Sequence, residues 1–373
     1  MKIGSFFKIF IASAFILSSS AILKAQQEAD FKFTDAKELM ILGQGFENTI
    51  GPYGRMPEAL KAEFRPDLLF LGRNSAGVAV RFSSDSPMVS AKWTLTNNYV
   101  MNHMAMTGIK GLDLYVLDGG RWMFIGTARP GAKENFSVFV KGMAKSEREF
   151  IAYLPLYDGV ESLQIGVAKE SSIGMPKINK LVKSESAKPV VIYGTSITQG
   201  GCASRPGMGY TSILSRMLGR EVVNLGFSGN GRLDFSMSKA IAMTDPSVIV
   251  LDCLPNTTYQ SVKDSAYRFI TNIVKSHPST PLYMVENPNF ASLIVDKSTS
   301  AELQKENVAW RELYTQLRRE GYKNVHYIKA DNFFGTDNEG TVDGIHPTDL
   351  GMQRMAEKLF KELRSFLVPH FGI

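Results

Sequence analysis

The 373-residue chain is poor in the residues that metal and redox sites use. It has two cysteines, Cys202 and Cys253, and five histidines. A structural zinc site takes about four Cys or His ligands at close spacing. These two cysteines stand far apart with no such partners beside them, so no metal site is expected. One disulfide between them stays open in an oxidising compartment. The chain also lacks a clustered Lys/Arg stripe, which argues against a nucleic-acid partner. It has no internal repeat and no low-complexity tract. With 44% hydrophobic and 21% charged residues it is neither disordered nor fibrous.

One long apolar run is present, at the N-terminus. Lys2 and Lys8 give a basic start, Ile9 to Leu23 is greasy and small, and Ala25 precedes Gln26. That is the pattern of a secretory signal peptide over residues 1–25. The run is short for a membrane span, which needs about 20 residues. No cysteine lies near the cleavage point to carry a lipid. The expectation is an exported protein, periplasmic or at the cell surface, with no stable membrane anchor after cleavage. Lys2, Lys8 and Lys24 leave with the signal and no acid does, so the net charge of +6 falls to +3.

The chain then changes character near residue 185. Before it, apolar residues alternate: Val78, Val80, Phe82; Val89, Ala91, Trp93, Leu95; Leu112, Leu114, Val116. Asp118-Gly119-Gly120 makes a hairpin turn, and Trp122 and Phe124 resume the alternation. Phe150–Leu154 and Leu163–Val167 add strands. The pattern predicts an all-β, jelly-roll-like sandwich over residues 26–183. Trp93 and Trp122 are aromatic candidates for sugar stacking, but at alternating positions they read first as core.

Lys183 to Lys188 reads as a linker, and residues 188–373 as an α/β domain. Strand runs without alternation (Val190–Tyr193, Val222–Leu225, Val248–Asp252, Leu282–Glu286, Val325–Ile328) interleave with helical stretches. These predict a flavodoxin-like, doubly wound parallel sheet covered on both faces. Ligands of such sheets bind at the carboxyl ends of the strands.

The chemistry-bearing residues sit at those ends. Val190–Tyr193 runs into Gly194-Thr195-Ser196, and a serine there needs an adjacent base to become a nucleophile. His346 is the candidate base, because Asp343 three positions earlier can orient its ring. Two further segments follow strands: Asn224–Gly231, rich in glycine, and Leu251–Asn256. The backbone N–H groups of Ser196 and Gly229 and the amide of Asn256 are candidate donors to an oxyanion. Ser228 is a rival nucleophile, but Gly226-Phe227-Ser228-Gly229-Asn230 misses the final glycine of a nucleophile elbow. Arg205, Met208 and Tyr210 follow the first motif and are candidate pocket-lining residues.

Four ordered blocks resemble the SGNH (GDSL-like) hydrolases: Gly194-Thr195-Ser196, Ser228-Gly229-Asn230, Asn256, and Asp343-Gly344-Ile345-His346. The resemblance spans roughly residues 188–367. It implies a Ser196–His346–Asp343 triad, an oxyanion hole of Ser196, Gly229 and Asn256, and no metal or organic cofactor. Two departures stand out. Thr195 replaces the usual aspartate before the serine, and the third block keeps only its asparagine. The stretch Thr198–Gly207 is similar to that of exported Bacteroidetes-type members, which carry an N-terminal β-sandwich. The resemblance implies a carboxylic ester hydrolase acting on small-molecule or polysaccharide esters, foremost a carbohydrate O-acetylesterase. A short-chain lipase or thioesterase and a non-catalytic glycan-binding protein are the alternatives.

Overall fold

The computed structural model describes residues 26, 28–176 and 188–367. The expected signal segment, and all of the expected linker but Lys188, lie outside the described residues. In the first half the strands are β1 (Phe31–Asp35), β2 (Met40–Leu42), β3 (Ala79–Ser84), β4 (Val89–Leu95), β5 (Leu112–Asp118), β6 (Arg121–Ala128), β7 (Glu134–Val140), β8 (Arg148–Tyr153), β9 (Val160–Ala168) and β10 (Ile173–Gly174). They form two antiparallel sheets, β1-β9-β4-β7 and β10-β3-β8-β5-β6, with β2 paired to β3. Most of the alternating residues face inward. Val80, Phe82, Val89, Ala91, Trp93, Leu95, Leu112 and Leu114 are buried in one shared core. Trp93 is therefore core, and its indole N–H donates to Lys110 O at 3.2 Å. Trp122 and Phe124 lie outside that core beside Tyr115, with Phe124 exposed, because β6 turns them to the other face of its sheet.

The second half is a parallel sheet of β11 (Val190–Gly194), β12 (Val222–Gly226), β13 (Val248–Asp252), β14 (Leu282–Val285) and β15 (Val325–Ile328). Their order is β12-β11-β13-β14-β15. The uninterrupted apolar runs are explained by burial on both faces. Val191 and Tyr193 of β11 pack towards helices 235–242, 259–276 and 297–319. Val190 and Ile192 pack towards helices 210–218 and 349–367. β11 pairs with both β12 and β13, so the strand order reverses there. A crevice opens at the carboxyl end of such a switch point.

The two halves share their cores. Ile50, Met56, Phe64 and Leu68 pack into one face of the parallel domain, although they precede most of the sandwich in sequence. Ala76, Met104, Ile109, Leu156 and Tyr157 pack into the other face. Arg55 joins the halves at their centre. It is wholly buried and donates to Asn74 O (2.7 Å), Leu71 O (2.9 Å), Asn224 O (3.0 Å) and Gly226 O (2.7 Å). Cys202 and Cys253 are both buried and unpaired, so the possible disulfide is not formed. Among the described residues, no helix is long and apolar enough to cross a membrane.

Candidate active site

β11 delivers Ser196 to the crevice. Thr195 caps the short helix Ser196–Gln199 by accepting from the N–H of Ile197 at 3.3 Å, and Gly200 closes it. Thr195 therefore has a structural use of its own. The acid and the base arrive from the opposite side, on the loop between β15 and the last helix. That loop is pinned by a Thr341–Pro347 bridge and by the Val342 N–H donating to His346 O at 2.8 Å.

The three groups form one hydrogen-bonded chain. His346 Nε2 lies 2.8 Å from Ser196 Oγ, and His346 Nδ1 lies 2.7 Å from Asp343 Oδ2. Asp343 Oδ1 accepts from the backbone N–H groups of Ile345 (3.0 Å) and His346 (2.8 Å). Burial pushes the Asp343 carboxyl up, but the hydrogen bonds from His346 and Ile345 outweigh it and hold it at about 2. An ionised Asp343 keeps a proton on Nδ1 and leaves the Nε2 lone pair facing the serine. Ser228, the rival, instead gives its backbone N–H to Gln199 Oε1 at 2.9 Å and stands outside this chain.

The expected oxyanion donors stand on the neighbouring strand ends. Ser196 opens its helix, so its N–H has no intrahelical acceptor. Gly229 adopts a φ of +65°, a left-handed turn that suits glycine. Asn256 Oδ1 accepts from the Gly231 N–H at 3.3 Å, which fixes which end of the amide is the donor. One hydrogen of Asn256 Nδ2 goes to Pro255 O at 3.2 Å, and the second remains.

The three expected lining residues have other uses. Tyr210 is fully buried, and its hydroxyl donates to Asp252 Oδ2 at 2.8 Å; it lines no surface. Thr198 donates to the same oxygen at 2.9 Å. Burial pushes the Asp252 carboxyl up to about 6, against those two hydrogen bonds. Arg205 is held by the sandwich. It donates to Asp113 Oδ2 and to Tyr115 Oη, both at 2.7 Å, and stacks 3.8 Å over the Phe124 ring. Asp113 also accepts the Gly207 N–H at 3.0 Å, so Gly111-Leu112-Asp113-Leu114-Tyr115 clasps the loop that follows the nucleophile. Met208 packs half-buried against the core on that side.

Sequence reasoning missed what the sandwich contributes. Tyr157 Oη donates to Ser196 O at 3.3 Å. Gly201 fits between that hydroxyl and the base: a Cβ there would sit 2.9 Å from Tyr157 Oη and 3.0 Å from His346 Cδ2. His103 lies with its ring centroid 5.9 Å from that of His346. Its loop is held by Asp158, whose carboxylate accepts from the N–H groups of Asn97 (2.9 Å), Asn98 (2.6 Å) and Tyr99 (3.2 Å). In the sequence, Asp158-Gly159 reads only as a turn. Burial pushes the Cys202 thiol up to about 12, so it is no competing nucleophile.

A cavity of about 410 Å³ lies elsewhere, between the sandwich and the amino-terminal edge of the parallel sheet. Trp122, Tyr153, Arg216 and Val222 line it. It contains no triad residue and lies at the wrong edge for this chemistry.

Comparison with known proteins agrees with the geometry. Residues 187–364 match the model of the GDSL-like lipase/acylhydrolase family, and residues 31–173 match that of the N-terminus of SGNH-hydrolase-type esterases. A Bacteroides ovatus structure described as a GDSL-like lipase is 35% identical, with a TM-score of 0.85, over 91% of this chain and 98% of its own. The chain belongs to the GDSL-like (SGNH) hydrolase family. It is accordingly a hydrolase acting on esters. The hydrolase also shares its fold with more distant proteins. A salicylyl-acyltransferase from a tetracycline biosynthetic pathway is 16% identical, with a TM-score of 0.72, over 90% of this chain and 97% of its own. An acetyl xylan esterase from Butyrivibrio proteoclasticus is 13% identical, with a TM-score of 0.57, over 91% of this chain and all of its own. No curated protein matches the hydrolase.

Proposed function

We propose that this hydrolase is an exported serine esterase that removes acetyl groups from a carbohydrate. The observation that carries the mechanism is the unbroken chain Ser196 Oγ–His346 Nε2–Asp343 Oδ2, with steps of 2.8 and 2.7 Å. Ser196 Oγ attacks the ester carbonyl while its proton passes to His346 Nε2. The oxyanion is met by the N–H groups of Ser196 and Gly229 and by Asn256 Nδ2. His346 then protonates the departing alcohol oxygen, and the C–O bond breaks to leave an acetyl-serine. Water, deprotonated by His346, attacks that ester and releases acetate and the free serine.

The substrate reading draws on two supports. Acetyl xylan esterase is among the proteins that share the fold. The triad also lies near the surface, with the His346 and Asp343 side chains 20% and 35% exposed. An open site suits a bulky alcohol that stays in water while a small acyl group enters. Export draws on the basic, greasy and small-residue order of residues 1–25.

The test is hydrolysis of p-nitrophenyl acetate by the chain from Gln26 onward and by its Ser196→Ala variant, both checked for folding by circular dichroism. Activity in the parent and a loss of about 10⁴-fold or more in the variant is expected. Full activity in a folded Ser196→Ala protein would sink the triad. A preference for octanoyl over acetyl esters would sink the acetylesterase and favour a lipase. The salicylyl-acyltransferase likeness favours one second reading, transfer of the acyl group to an alcohol instead of water. Recovery of an acylated acceptor alcohol in place of acetate would establish it.

A further inference from the structure

Four side chains with metal-binding atoms meet beside the triad. The ligand atoms of His103, Cys202, Asp343 and His346 all lie within 4.8 Å of one another. Two of these residues belong to the triad. The other two have no part in its hydrogen-bonded chain, and they come from different halves of the molecule. His103 stands on the sandwich loop that Asp158 holds, and Cys202 on the loop after the nucleophile.

Both are held in place. Cys202 is a non-glycine residue with a φ of +68°, a left-handed conformation that persists only where its surroundings impose it. Its Sγ lies 3.5 Å from His103 O. His103 Nδ1 lies 3.0 Å from Asn102 Oδ1, which makes Nδ1 the donor and leaves the Nε2 lone pair for a cation.

We propose that these four residues form an inhibitory site for a thiophilic divalent cation of the zinc type. A thiolate, two imidazoles and a carboxylate are the donors zinc takes. Magnesium and calcium, which want oxygen throughout, find a single carboxylate here. Tetrahedral zinc places its ligand atoms roughly 3.3–3.8 Å apart. The cluster must therefore draw in by about 1 Å, a distance that side-chain torsions cover. Binding releases the Cys202 thiol proton to water as the sulfur–metal bond forms. The cation then holds the base and its orienting acid, while Ser196 is left untouched but without a proton acceptor. The binding half stands apart from the esterase reading; the inhibitory half rests on it.

The Ser196→Ala variant of the mature chain keeps all four ligands and permits a binding test without turnover. Titrated with Co²⁺ as a spectroscopic stand-in for zinc, it should develop a thiolate-to-cobalt charge-transfer band and the intense visible bands of a tetrahedral ion. Adding Cys202→Ser should remove the charge-transfer band. Adding His103→Ala should weaken cobalt binding by about tenfold or more, since even outer-shell losses cost about that much. In the enzyme with Ser196 intact, micromolar zinc should stop ester hydrolysis and a chelator should restore it. Single Cys202→Ser and His103→Ala variants should need at least about tenfold more zinc for the same inhibition. Should Cys202→Ser fail to fold, His103→Ala alone decides. A cobalt spectrum without a thiolate band would overturn the proposal. So would equal zinc sensitivity in the parent and the His103→Ala variant. If cobalt binds as described but no ester is cleaved, the site stands and the esterase reading falls.

Discussion

The parallel sheet has two very different edges. At the amino-terminal edge lies a hollow of about 410 Å³, walled by Trp122 and Arg216. Trp122 Nε1, Ser212 Oγ, Arg216 Nη1 and Arg220 Nε there make no hydrogen bond within the protein. At the carboxyl edge the polar atoms of three residues line up within hydrogen-bond distance. Room to hold a molecule is common at a domain junction, whereas an aligned nucleophile, base and acid need three chain segments to agree to within a fraction of an ångström.

The sharpest way to break that contrast is to alter each edge once. Asp343→Asn should lower kcat on p-nitrophenyl acetate by about 10⁴-fold, because the amide no longer fixes the ring tautomer. Trp122→Ala at the other edge should leave kcat within about threefold; a large drop there would show that the hollow takes part in turnover. A smaller effect concerns the clasp between the halves. Asp113 is wholly buried against Arg205, and Asp113→Ala should cost about 3 kcal/mol in urea unfolding by stranding the guanidinium. A comparable effect is on pH dependence. The Asp252 carboxyl titrates at about 6 in the fold, and near 3.9 in an unfolded chain. The fold thus favours its protonated form. Its stabilising contribution is complete below about pH 4 and is lost as pH rises through about 6, a swing of about 3 kcal/mol. Thermal melts should show Asp252→Asn losing less stability than the parent between pH 4 and pH 7. Asp343, held low, acts in the opposite sense and only as pH falls from about 4 towards 2.

What the sequence disclosed follows from what periodicity encodes. Alternation reveals faces, so the inward residues of β3, β4 and β5 were legible, and the unbroken runs of β11 to β15 revealed burial on both sides. The hydrogen-bonded residues Ser196, Asp343 and His346 were singled out because each follows a strand, in the order of the resembling family. Strands β1, β2, β7 and β10 went unread; β2 and β10, of three and two residues, are too short to show a period. Helix 235–242 escaped because it is only eight residues long. Partners were the harder matter. Nothing local in Arg205 points to Asp113, 92 positions earlier. Nothing in Tyr210 tells a pocket wall from a buried hydroxyl bound to Asp252. Tyr157 and His103 reach the site only because the sandwich folds against the sheet, and a pattern along one chain segment carries no trace of that.

Arg55 carries a consequence for modularity. Its guanidinium is shared among carbonyls of the N-terminal segment and of β12, and Ile50, Met56 and Leu68 fill one face of the parallel domain. The hydrolase is therefore no detachable cassette. A chain begun at residue 188 would bare an apolar face and leave the carbonyls of Asn224 and Gly226 without their donor. The two halves are therefore expected to fold and unfold together, as one cooperative unit.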